Sequence, residues 1–157
     1  MIIYCFSIFV TGKNYTPLAE EMTDCPLIHV SNEWLKGETF VLGNKRHQYG
    51  YSGTHYTHKF VFATNETERG KVLADFISFL ERECFLFWEH GAEEINIKIV
   101  VYISERLRFV ILTKQEMERL LLCGNIVVSV DLFPMKKSEI DKLKIEFLKE
   151  RSHNENI

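Results

Sequence analysis

The stretch richest in groups that could do chemistry is Lys45-Arg46-His47-Gln48-Tyr49-Gly50-Tyr51-Ser52-Gly53-Thr54-His55-Tyr56-Thr57-His58, which sets three histidines among basic and aromatic side chains. Basic residues interleaved with aromatics can hold nucleic acid through phosphate contacts and base stacking. A metal site is poorly supported, because no Cys or acid lies between His47 and His58 to complete a ligand set. His55 and His58 would also point to opposite faces of a strand. The chain has no Gly-x-Ser-x-Gly, phosphate loop, His-Glu-x-x-His, Cys-x-x-Cys or dinucleotide glycine fingerprint. Catalytic, metal-binding and cofactor-binding residues are therefore expected to be none, and the histidine run reads as a polar loop entering a half-buried strand.

Charge points instead to surfaces that bind. The net charge is -3, but residues 64–94 hold 3 basic and 8 acidic side chains. That imbalance disfavours a general nucleic-acid binder, which needs a basic phosphate-facing surface, and leaves room for a basic partner. The acidic flank Asp75, Glu81, Glu89, Glu93 and Glu94 is one candidate partner surface, with Trp88 as an aromatic anchor beside it. A second is the polar sheet face expected opposite the helices, carrying Thr57, Lys59, Asn96, Lys98, Arg108, Ser129 and Asp131.

The elements that would position these residues follow from periodicity. Residues 2–10 read as a central strand, apolar on both faces. Thr16-Pro17 opens a short helix through about Met22. Residues 27–54 read as loop with one or two short strands, and residues 55–63 as a strand placing Tyr56, His58, Phe60 and Phe62 on one face. The strongest helix spans about Glu66 to Glu89, with Asn65 and Glu68 as a capping box. Its stripe Leu73, Phe76, Ile77, Leu80, Cys84 and Phe87 is flanked by Val72, Phe79 and Leu86, so the apolar face exceeds what one sheet covers. Residues 95–103 and 107–112 suggest a hairpin. Thr113 with Glu116 caps a short helix stopped by Gly124. A strand over residues 126–133 and a helix opened by Ser138 and Asp141 complete the chain. The last helix's stripe, Ile140, Leu143, Phe147 and Leu148, could cover the Val72, Phe79, Leu86 line.

This order predicts an α+β fold, a mainly antiparallel sheet with helices packed on one face, compatible with a pseudo-duplicated ferredoxin-like arrangement. At 157 residues, 46% of them hydrophobic, the chain suits one core. We expect a single domain over residues 1–135, a C-terminal helix over 136–150 packed on it, and a disordered tail over 151–157. Cys5, Cys25, Cys84 and Cys123 are too widely spaced for a disulfide framework or zinc site, which suits buried thiols in a reducing, cytoplasmic compartment. Charges interrupt every apolar run before the roughly 20 residues a membrane span needs, and no signal-peptide pattern opens the chain.

The segment Ser31-Asn32-Glu33-Trp34-Leu35-Lys36-Gly37-Glu38, followed by Lys45-Arg46, resembles a motif of a bacterial family, domain of unknown function 4279. The resemblance covers roughly residues 3–134 in order of elements. It implies that Ser31, Trp34, Lys36, Gly37 and Glu38 form the family's signature turn. It also implies an immunity protein of a polymorphic toxin system, whose partner is a cognate toxin; no cofactor is expected. The acidic segment would suit a basic nuclease toxin. The alternatives are a protein-interaction or homodimeric domain using the helix face from Phe79 to Trp88, and an enzyme or nucleic-acid binder built on residues 47–59.

Overall fold

A computed structural model describes residues 1–18 and 25–156. The framework is a five-stranded sheet in the order β2-β5-β1-β6-β7, built from β1 (Ile2–Gly12), β2 (Ile28–Trp34), β5 (Ser52–His58), β6 (Glu94–Ile103) and β7 (Ile126–Pro134). Every neighbour pair is antiparallel except β6 and β7, which run parallel. β1 is the middle strand, as its two apolar faces require. A separate hairpin joins β3 (Thr39–Leu42) to β4 (Lys45–Gln48). The helices are α1 (Glu66–Glu89), α2 (Lys114–Leu121) and α3 (Lys137–Glu155). The fold is thus α+β with a mainly antiparallel sheet.

Strand alternation divides the core in two. Tyr4, Phe6, Ile8 and Val10 of β1 meet Leu73, Phe76, Ile77 and Leu80 of α1, together with Ile95, Ile97, Ile99 and Val101 of β6. Each fully buried large aliphatic or aromatic side chain of this set contributes about 1.5–3 kcal/mol. The excess apolar face of α1 is also absorbed here, since Val72 and Phe79 belong to the same cluster and Leu86 packs against it. α3 does not cover that line. Its Ile140 joins Ile3 and Phe62 in a second cluster, with Cys5, Tyr102 and Phe147 alongside. Ile3 and Cys5 point away from α1, so α3 lies across the opposite side of the sheet instead of joining α1 and α2 on one face.

Five further expectations change. The hairpin over 95–103 and 107–112 does not form: β1 and β7 occupy both edges of β6, leaving none for residues 107–112. That segment is not a strand; it crosses toward α2 and packs Phe109, Ile111 and Leu112 on the core, which also removes the pseudo-duplicated arrangement. β5 ends at His58 rather than near residue 63, and Tyr4 bridges Ala63 after an intervening bend. Asn65 does cap α1 by accepting from the Glu68 N–H at 2.9 Å, but the Glu68 carboxylate accepts from the Thr64 N–H and hydroxyl instead of closing the box. α3 begins at Lys137, where the Glu139 carboxylate accepts from the Lys136 N–H, and continues through Glu155. Residues 151–155 are therefore helical: Arg151 donates to the Phe62 carbonyl at 2.6 Å and stacks over the Phe60 and Phe62 rings. Residues 16–18 are not helical; the remainder of the short helix expected through Met22 lies outside the described residues.

Candidate functional site

On the side of the sheet that faces α3, the strands leave a long polar floor. β5 contributes Gly53, His55 and Thr57 to it, β1 Ser7 and Phe9, and β6 Glu94, Asn96 and Lys98, because these positions alternate with the core-facing ones. Two concavities open on this floor. One, of about 700 Å³, is lined by Phe9, Asn96, Trp34, Tyr49, Tyr51 and Glu94, among others. The other, of about 510 Å³, runs between β2 and α3 and includes His29, Ser31, His55, Tyr102, Phe147 and Glu150. Phe9 and His55 stand between them, their rings stacked at 4.2 Å and nearly parallel.

The aromatic wall is assembled by local sequence. Trp34 pairs with Gly53 across β2 and β5, and its indole lies where a Cβ on residue 53 would stand, so only glycine seats it. Tyr49 stacks on Trp34 with centroids 5.2 Å apart, Tyr51 meets it edge-on at 6.3 Å, and Phe40 continues the series onto Tyr49 at 4.4 Å. This ladder anchors the β3–β4 hairpin to the sheet. The turn before the hairpin is the segment picked out by the family resemblance. Glu38 N–H donates to the Leu35 carbonyl with Gly37 at φ 89°, Lys36 N–H donates to Ser52 Oγ, and Gly37 N–H donates to the Tyr49 carbonyl. Trp34, Lys36, Gly37 and Glu38 thus hold the wall, whereas Ser31 contacts His55 on the floor. Trp34 and Ser31 alone of these side chains line the two concavities.

Ser31 Oγ lies 2.6 Å from His55 Nδ1, a serine–imidazole contact of the kind used in acyl transfer. Burial, and secondarily the charge of Lys98, holds the His55 pKa below its ordinary value. The imidazole is therefore neutral at pH 7. Its Nε2 is buried with no hydrogen-bond partner among the described residues, so the pair lacks the acid that orients a catalytic imidazole. Cys5, at the α3 end, is a poor nucleophile because burial pushes its thiol pKa up to about 12. The histidines of the chemistry-rich run divide, as strand alternation requires. His55 lies on the open floor, whereas His58 turns inward, accepting from the Phe60 N–H through Nδ1 and contacting Asp75 Oδ2 at 2.8 Å through Nε2. Among the described residues no cluster of His, Cys, Asp or Glu could hold a metal ion.

The acidic candidates are dispersed by the fold. Asp75 is engaged by His58, and Glu81 forms a close ion pair with Arg119 of α2. Glu89 stays exposed on α1, while Glu93 and Glu94 line the larger concavity on the other side of the sheet. Trp88 donates from Nε1 to the Cys123 carbonyl at 2.8 Å and packs over Gly124, which ties α1 to the α2–β7 connection. Lys98 pairs with Asp131 at 3.3 Å on the open face, beside Asn96, which accepts from Ser129. Lys59 lies just past the end of β5, near His29 and Asn154, and Arg108 is exposed on the crossover between β6 and α2.

The aromatic wall was not anticipated as a unit. Its signal is the dipeptide Gly43-Asn44 between two four-residue strands, a two-residue hairpin pattern with Gly43 at φ 63°. No described helix is long and apolar enough to cross a membrane. Compared with family models, curated proteins and solved structures, the chain matches none.

Proposed function

We propose that this protein is a non-enzymatic binding protein of the immunity type, which occludes a cognate toxin through the open sheet face. The observation that carries the reading is the groove walled by Trp34, Tyr49 and Tyr51 and floored by Phe9, whose ring stacks on His55. Aromatics grouped around a concavity are residues on which interface energy concentrates. Trp34 Nε1 in this groove and His55 Nε2 beside it are buried without a partner among the described residues, and such atoms call for an explanation. Glu93, Glu94, Lys13 and Asn96 supply a mixed polar rim. The step from binder to immunity protein rests on the family resemblance of residues 31–38. It also moves the expected contact from the acidic flank of α1, where Asp75 and Glu81 are already paired, to the groove.

Co-expression with the product of an adjacent toxin-like gene tests the reading. Growth should be rescued, and Tyr51→Ala should weaken the complex by about thirtyfold or more, corresponding to a hot spot of about 2 kcal/mol. Tyr51 is exposed enough for the fold to survive this change. A solitary gene, or rescue indifferent to Tyr51→Ala combined with Tyr49→Ala, would overturn the assignment of toxin and groove respectively.

A further inference from the structure

The two edges of the sheet are built differently. β2, at one edge, carries a register shift between Val30 and Asn32 and the polar run Ser31, Asn32 and Glu33, which are devices that discourage pairing with another strand. β7, at the other, pairs with β6 without interruption over nine residues, from Ile126 to Pro134. Its outer edge meets no other described strand. It has one charged residue, Asp131, no lysine, no bulge, and proline only at its end. Val130, Leu132 and Phe133 are 40%, 51% and 47% exposed along it. An edge that long, regular and apolar is a template for strand addition.

We propose that β7 is the interface of a two-fold homodimer, in which it pairs antiparallel with β7 of a second copy to make a continuous ten-stranded sheet. The sequence of the strand selects the occupant. A two-fold axis perpendicular to the sheet keeps each face on its own side, so a residue must sit opposite its own copy at the centre. Centring on Val130 uses all nine residues. On the α1 side Val130 then meets Val130, Val128 meets Leu132 and Ile126 meets Pro134. On the open side Val127 meets Phe133 and Ser129 meets Asp131, a hydroxyl opposite a carboxylate. A centre at Asp131 would oppose two carboxylates, which is unfavourable, and a centre at Ser129 would set Asp131 against Val127. The surface is separate from the groove proposed for the toxin, so either proposal can fail without the other.

The full-length chain in sedimentation equilibrium should show a reversible dimer. Val130→Lys should raise its dissociation constant at least about tenfold, since it opposes two ammonium groups at the axis, with an unchanged circular dichroism spectrum. Residues opposite one another in an antiparallel pair have Cα atoms about 4.5 or 5.5 Å apart, both within disulfide range. Val130→Cys should therefore cross-link to itself on mild oxidation under conditions where the native chain does not. Val127→Cys should cross-link only when mixed with Phe133→Cys. A monomer at every concentration overturns the proposal. So does a dimer that Val130→Lys leaves intact while Val130→Cys fails to cross-link.

Discussion

Arg69 shows what a single side chain can hold together. It is 4% exposed, and its guanidinium donates to the Ile111 carbonyl at 3.1 Å and to both Glu116 oxygens. Through these bonds α1, the crossover after β6 and the first turn of α2 share one charge pair. Arg69→Ala would leave the Glu116 carboxylate without its partner in a mostly buried site, and urea unfolding should report a loss of about 3–5 kcal/mol. Replacing both residues by methionine should recover much of it. Arg69 was hidden in the sequence: it falls on the same helical line as Val72, Leu73 and Phe76, but a lone arginine beside apolar positions reads as a solvated flank. His58 carries the pH dependence. Burial, outweighing the carboxylate of Asp75, holds its pKa below 6.5. Between the folded value and the unfolded one, the unfolded chain binds more protons. Stability is therefore full above about pH 6.5 and falls as the pH drops toward the folded value. His55 shifts the same way and adds to the trend. Thermal melts between about pH 7.5 and 5.5 should show falling midpoints, and His58→Phe should flatten the slope while lowering the midpoint throughout.

At the scale of elements, legibility followed local periodicity and stopped where pairing was decided at a distance. β1, α1, α2 and β7 have one strong pattern each, with caps such as Asn65 and Thr113 to mark their ends, and residue types alone locate them. β6 was equally plain as a strand, but its partner was not. Ser104 to Arg106 look like a tight turn, yet whether the chain turns back depends on which edges of β6 are free, and both are taken by strands remote in sequence. β3 and β4 are exposed almost throughout, so no apolar alternation betrays them. Their place is fixed by the ladder from Phe40 through Tyr49 to Trp34. Gly53 supports that ladder by having no side chain. Gly53→Ala should force the indole from its seat, costing about 1–3 kcal/mol as an overpacked site. It should also red-shift tryptophan emission toward that of a solvated indole; an unshifted spectrum with native stability would mean that Trp34 does not lie on Gly53.

For the whole molecule, the decisive property is that the sheet is covered on one side as far as β6 and only partly on the other. A wide apolar stripe on α1 suggested a second helix beside it, and sequence offered α3 as the obvious candidate. Length and amphipathicity say that a helix needs a cover, not which face of the sheet supplies it. Ile3, Cys5 and Tyr102 supply it here, because β1 and β6 are apolar on the far side as well at that end. Farther along, the same strands present Ser7, Asn96 and Lys98, and α3 leaves that region open as the groove. The arrangement makes a sharp distinction between two isoleucines of α3 that the sequence alone would rank alike. Ile140 is fully buried against Ile3 and Phe62, whereas Ile145 is 55% exposed. Ile140→Ala should cost about 2–5 kcal/mol as a core truncation, and Ile145→Ala should stay within about 0.5 kcal/mol as a surface change, both measured by urea unfolding with unchanged m-values. If α3 instead lay against α1, Leu143→Ala with Leu148→Ala would be the costly pair and Ile3→Ala would be indifferent to the loss of Ile140. In the arrangement described here Ile3→Ala and Ile140→Ala share one contact, so their combined cost should fall short of the sum by about 0.5 kcal/mol or more.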